Sequence, residues 1–301
     1  MLLLALLGVH TPRSLRGQAT PPACVNERQV SFRPAKPRPG AFVEVRVTRG
    51  SEPVVGGRTM GDALHFERLS GDTLRALAPV PIDSVRGVSV VFACAGGDSA
   101  TIRVPVAAAT YQVERLTVDP RFAAEPDSVL AARLRRESAR AAAVADESHQ
   151  TPRLWTGSFV APRSSRVTST FGKGRQFNGV ITSRHMGTDF AGPTGAPVRA
   201  ASRGVVRLVD AFYLGGNVVY VDHGAGITTA YLHLSRTLVA VGDTVDSTTV
   251  IGRVGATGRV TGPHLHLIAR YGRTSLDPMS LIAITRDVRT TRTKPKAKSS
   301  P

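Results

Sequence analysis

Residues 151–285 run as short apolar stretches separated by glycine-bearing turns, and this pattern narrows the fold more than any other feature of the chain. Strands are predicted at Val167 to Thr170, Val205 to Val209, Val218 to Asp222, Thr228 to Leu232, Val250 to Val254 and His264 to Ala269. Successive strands joined by glycine turns pair antiparallel. No helix alternates with them, so a parallel nucleotide-binding sheet is disfavoured. The stretch Gly252-Arg253-Val254-Gly255-Ala256-Thr257-Gly258 lacks the spacing and the following Lys-Ser/Thr of a phosphate loop, and its glycines read as turns.

The preceding sequence has the same β texture. From Cys24 to Ala109 it suggests a small sandwich of immunoglobulin-like kind: Val43, Val45 and Val47 alternate with Glu44 and Arg46, and Val88 to Cys94 and Thr101 to Val106 supply further strands. Tyr111 to Val118 reads as a strand leading out of this unit. Asp127 to Glu147 is rich in Ala, Arg, Leu and Glu, has Asp127 or Ser128 as N-cap, and sets Leu130 and Leu134 on one face, as expected of a linker helix. The expected class is therefore mainly β. Its divisions are a signal peptide at 1–19, a β-sandwich-like domain at 24–109, a strand and linker helix at 110–150, a β-sheet domain at 151–285 and a basic disordered tail at 286–301.

Of the 301 residues, 42% are hydrophobic and 20% charged, which is the balance of a soluble globular chain. The 39 Lys and Arg against 22 Asp and Glu leave a formal charge of +17, which suits a polyanionic partner. No nucleic-acid-binding motif is present, so an anionic cell-envelope polymer fits better, although an Arg-biased composition gives the same excess without any partner. The run from Met1 to Val9 is too short to span a bilayer and reads as the apolar core of a secretory signal, with Gly17-Gln18-Ala19 as a small-x-small cleavage site. No other stretch reaches membrane-spanning length. An exported protein, periplasmic or extracellular and associated with the envelope, is expected. In that setting Cys24 and Cys94 form one disulfide. A lipoprotein reading of Pro22-Ala23-Cys24 would want Leu where Pro21 stands.

Five of the eight histidines, His185, His223, His233, His264 and His266, fall in the last domain, whereas His65 and His149 stand apart. In a strand, His264 and His266 point to one side, and two converging imidazoles can share a metal or divide metal binding from acid–base work. His185 precedes Asp189 by four residues with Gly187 between them, so the segment reads as extended or turning chain. A His and a carboxylate completed by a distant His is a frequent Zn²⁺ set that leaves a position for water.

These motifs resemble the lysostaphin-type (LytM-like) zinc endopeptidases of peptidoglycan. His185-x-x-x-Asp189, Tyr231-Leu232-His233-Leu234-Ser235 and His264-Leu265-His266 occur in the family's order. Ser169-Thr170-Phe171-Gly172, Asp222-His223-Gly224 and Thr261-Gly262-Pro263 agree around them. The resemblance covers roughly residues 155–283. It implies an antiparallel β-sheet peptidase domain of the duplicated hybrid motif type, with one zinc per chain held by His185, Asp189 and His266. His233 and His264 would be the unligated catalytic histidines, and peptidoglycan peptides the substrate; His223 reads as structural. The family commonly follows its last histidine with an aromatic and then an acidic residue, whereas Leu267, Ile268 and Ala269 stand here. A non-catalytic member that binds cell wall or activates a partner amidase is the alternative, and such members are expected to lack ligands. An endopeptidase acting on a Gly-rich protein is a third reading.

Overall fold

The computed structural model describes residues 24–50, 52–179 and 181–286. The expected signal at 1–19 lies outside them, as does the expected tail beyond Arg286; Arg286 itself closes a helix, α2 (Pro278–Arg286).

The N-terminal region forms two four-stranded sheets. One runs Val30–Arg33, Phe42–Thr48, Thr73–Pro79, Glu67–Ser70; the other runs Asp62–Ala63, Val54–Thr59, Val88–Cys94, Ser99–Val104. Val43, Val45 and Val47 are buried as their alternation predicts, but the other face is covered too. Phe42 and Glu44 are also buried, Glu44 among Arg33, Arg46 and Arg75, so the strand is not the half-buried one its alternation suggests. Val88 to Cys94, which reads in sequence as a nearly continuous apolar run, does alternate: Val88, Val90, Phe92 and Cys94 face inward while Ser89, Val91 and Ala93 face out. Cys24 and Cys94 are joined, 70 residues apart in sequence. Closing a loop of that length removes enough freedom from the unfolded chain to be worth about 4 kcal/mol. Reduction is therefore expected to lower the urea midpoint of the N-terminal sheets markedly. An unchanged midpoint would show that the bond closes no stabilising loop.

The C-terminal half is organised around a ten-stranded antiparallel sheet. Its main path runs Val167–Ser169, Thr188–Ala191, His264–Tyr271, Ile227–Thr237, Gly216–Gly224, Gly204–Phe212, Thr244–Val245. Pro197–Arg199 joins it through Val250–Val254, and Thr274–Leu276 pairs with His264–Tyr271. The six strands predicted in this region all exist; several extend further, Ile227–Thr237 most of all. A smaller three-stranded sheet adjoins the site. In it the hairpin Gly174–Phe177 and Ile181–Arg184 takes Val113–Leu116 as a parallel third strand. The chain leaving the N-terminal sheets is thus woven into the C-terminal half.

The helix α1 (Ser128–Glu147) is capped by Asp127, whose side chain accepts from the Leu130 N–H. It does not merely link. Ala141 and Val144 pack on Leu208, Val218, Tyr220, Ala230 and Ile268, so the helix covers one face of the sheet. Leu267 and Ala269 sit in the main core. The three residues that depart from the family's usual aromatic and acidic pair are therefore packing positions.

One continuous apolar cluster joins the two halves. Hydrogen bonds cross the junction: Tyr271 Oη donates to the Ala63 carbonyl at 2.7 Å and the Asp277 N–H to the Gly40 carbonyl at 2.7 Å. His65 and His149, apart in sequence, meet here with Nε2 and Nδ1 2.9 Å apart. They take no part in the cluster described next.

Candidate metal centre

Strand pairing builds the site. Asp189 lies directly opposite His266 across the pair Thr188–Ala191 and His264–Tyr271, and Leu232 lies opposite His266 on its other side. His185 follows the strand Ile181–Arg184 and reaches the same spot. Its Nε2 lies 3.0 Å from Asp189 Oδ1 and 3.0 Å from His266 Nδ1, and His266 Nδ1 lies 2.6 Å from Asp189 Oδ1. All three residues are buried. Gly187 makes the approach feasible: a Cβ there would stand 2.4 Å from the Leu267 carbonyl oxygen and 2.7 Å from two atoms of the His266 ring. Any larger residue would displace a ligand strand.

The donor set fits a divalent cation. His185 Nδ1 lies 2.9 Å from the Thr170 carbonyl and donates its proton there, which leaves Nε2 as a lone pair. That lone pair, the His266 Nδ1 and a carboxylate oxygen converge on one point, an arrangement that a cation satisfies together. Among the described residues this is the one trio of His, Cys or acidic side chains so placed. Burial alone would push the Asp189 carboxyl up, but its close contacts with His185 and His266 outweigh that and hold it well below the ordinary carboxylate range. Burial pushes His266 down to about 4 despite the opposing pull of Asp189, so the ring is neutral and able to ligate at neutral pH.

His233 and His264 stand beside this trio without joining it. Their ring centroids are 5.0 Å apart, and that of His233 is 5.8 Å from that of His266. His233 sits where the register between Ile227–Thr237 and Gly216–Gly224 shifts, so that Leu232 and His233 oppose Val218 alone. Its φ is +63°, the left-handed region that a histidine seldom adopts. Such a bulge re-aims a side chain that regular pleating would place elsewhere. His233 Nδ1 donates to the Thr257 carbonyl at 2.9 Å, leaving Nε2 free. Burial, with His266 and His264 nearby, pushes its pKa well down, so this imidazole is neutral. His264 is only partly buried; its Nδ1 donates to the Gly262 carbonyl at 2.8 Å, and its Nε2 lies 3.7 Å from Asp189 Oδ1.

The five candidate residues thus come together, and His223 does not. Its ring is fully buried against Phe159, with Nδ1 donating to the Arg203 carbonyl and Nε2 2.8 Å from Thr229 Oγ1. Sequence reasoning missed the residues that brace the site. Arg175 donates to Asp189 Oδ2 at 2.6 Å, fixing which carboxylate oxygen faces the histidines. Glu114, from the parallel strand, accepts from Ser169 Oγ at 3.0 Å and Lys173 Nζ at 2.6 Å, and lies 3.5 Å from Arg175. Neither residue stands in a motif that would have marked it.

What the fold presents is a buried His-Asp-His trio able to hold a cation, with the imidazoles of His233 and His264 beside it. Residues 183–278 match the model of peptidase family M23. Over 103 residues, 34% of this chain and 24% of the relative, the sequence is 46% identical to the peptidoglycan DD-endopeptidase ShyC of Vibrio cholerae. It is 42% identical over 118 residues to the DD-carboxypeptidase/endopeptidase Mpg of Neisseria meningitidis, covering 39% of this chain and 27% of that one. The matched segments span about a quarter of those relatives' lengths. A crystal structure of a Pseudomonas aeruginosa chain assigned to peptidase M23 is similar over 82% of this chain and 95% of that one, with a TM-score of 0.64 and 28% identity. That likeness takes in the N-terminal sheets as well.

Proposed function

We propose that this protein is an exported zinc metalloendopeptidase that hydrolyses peptide bonds in the cross-links or stem peptides of bacterial peptidoglycan. The observation that carries this reading is the convergence of all five side chains at one groove: His185, Asp189 and His266 as ligands, His233 and His264 as free imidazoles. Two histidines and one carboxylate form a catalytic zinc set that leaves a coordination position for substrate chemistry. Zinc held by these three residues would supply Lewis-acid polarisation and a lowered water pKa at the groove.

The chain's own groups do the rest. His233, neutral and with Nε2 free, takes a proton from the water and returns one to the leaving amine. His264, nearer the groove mouth, is the second imidazole within reach of the reacting groups, with its Nδ1 held by the Gly262 carbonyl. Arg175 holds Asp189 in place. Relatives of this domain are named for action on peptidoglycan, and the Cys24–Cys94 bond suits an oxidising compartment. The +17 charge suits attachment to anionic envelope polymers. A non-catalytic binder or amidase activator would be expected to have lost part of this set.

The test is to incubate the full chain with purified peptidoglycan and follow muropeptides, with zinc and with chelator. Release of cross-linked or stem-peptide fragments is expected with zinc alone. Release that persists in chelator would overturn the metal mechanism. No release from a zinc-loaded protein, combined with cleavage of a Gly-rich protein, would move the substrate to that third class.

A further inference from the structure

The groove beside the ligands, about 460 Å³, carries three arginines, Arg166, Arg175 and Arg259, and two acids, Glu114 and Asp189. Both acids have cations of their own: Arg175 on Asp189, and Lys173 with Arg175 on Glu114. Arg259 is placed differently. Its guanidinium lies over the Phe177 ring, 4.1 Å from the centroid, and among the described residues no carboxylate lies within salt-bridge distance of it. It lines both the groove and the recess that holds His185, His233 and His266.

Arg259 is also held firmly. Its N–H donates to the Leu214 carbonyl at 2.9 Å. Gly258 before it has φ +75° and presses on the 214–216 turn so closely that a Cβ would stand 2.4 Å from the Gly216 nitrogen. One residue earlier, the Thr257 carbonyl orients His233. A single rigid loop therefore sets both the imidazole and the guanidinium. Burial and the nearby Arg175 push the Arg259 guanidinium down from its ordinary value, so its charge is poorly compensated. A half-buried cation without a counter-charge is costly, and an anion that enters with the substrate relieves that cost. The flat guanidinium fork, with its face on Phe177, matches a carboxylate along its edge.

We infer that Arg259 receives a free carboxylate of the peptide substrate, close to the scissile bond, and so selects carboxylate-bearing peptides over neutral ones. The peptide nature of the ligand rests on the function proposed above; the carboxylate preference rests on Arg259. A cation fixed on the same loop as His233 aligns a substrate by its charge.

The test compares D-alanyl-D-alanine with its C-terminal amide on the zinc-loaded full chain, as wild type, Arg259→Gln and Arg259→Lys. Binding is read by calorimetry. Cleavage is read on a longer acid and amide pair, and zinc content and melting confirm that each variant is folded. The wild type is expected to favour the acid roughly tenfold or more, as a charge-assisted pair does. Arg259→Gln should bring the acid down to the level of the amide and leave the amide unchanged, and Arg259→Lys should recover part of the preference. No acid preference in the wild type, or one that survives in Arg259→Gln, overturns the inference. Cleavage without an Arg259-dependent preference sinks this inference and leaves the peptidase reading standing. An Arg259-dependent preference without cleavage of any peptide does the reverse.

Discussion

Replacing His266 by alanine is expected to remove the cation and the activity together. His266 Nδ1 is 2.6 Å from Asp189 Oδ1 and 3.0 Å from His185 Nε2, so it closes the donor set. Two of three ligands remain in the variant, on a surface with two open positions, and zinc should fall from one per chain to near none after dialysis. Lewis-acid polarisation is worth several kcal/mol of transition-state stabilisation, and each 1.36 kcal/mol is tenfold in rate, so kcat/KM should drop by about 10³ or more. His223→Ala is the matching control. It removes an imidazole just as buried, orphans the Arg203 carbonyl and should cost roughly 1–3 kcal/mol of stability. Its zinc content should nevertheless stay at one per chain. Zinc retained in His266→Ala and lost in His264→Ala would reverse the roles of His266 and His264.

That the pair can be divided at all reflects what a sequence displays. Residues that carry chemistry in their side chains, such as His185, Asp189, His233, His264 and His266, stand out by type and order. Strands whose burial follows alternation, such as Ser99–Val104, stand out as well. The groups that aim these side chains are backbone carbonyls, at Thr170, Thr257 and Gly262, and a carbonyl has no residue code. The parallel pairing of Val113–Leu116 was hidden for another reason. Gly174-Arg175-Gln176 has no apolar period, and its partner Val113–Leu116 is distant in sequence, so only tertiary pairing brings Glu114 to the site. Helix α2 was missed because its nine residues form an apolar run too short to separate from a strand by periodicity.

The departure after the last histidine resolves on the same grounds. Leu267 and Ala269 fill the core and Ile268 takes the helix α1 above the sheet. In this chain the strand that carries His266, the proposed ligand, is steadied by packing on both of its faces rather than by a charged residue following that histidine. Rigidity of that strand matters because His266 and His264, two residues apart, must serve different ends on a common side.

The second large effect is expected at His233. Because its backbone is bulged and left-handed, its ring is brought beside the trio without entering it, and Thr257 fixes the tautomer that leaves Nε2 free. His233→Ala should therefore keep zinc at one per chain while kcat falls by roughly 10²–10⁴, the usual contribution of a positioned acid–base group. KM should change little, since the loss is in proton transfer and not in binding. Alanine at φ +63° is no better suited to that conformation than histidine, so a melting curve must accompany the kinetics, with His233→Asn as a second variant that tolerates the left-handed region. Loss of zinc in a folded His233→Asn would show that this imidazole is a ligand. Turnover within a few-fold of wild type would show that the proton moves by another route, with His264 the remaining imidazole within reach.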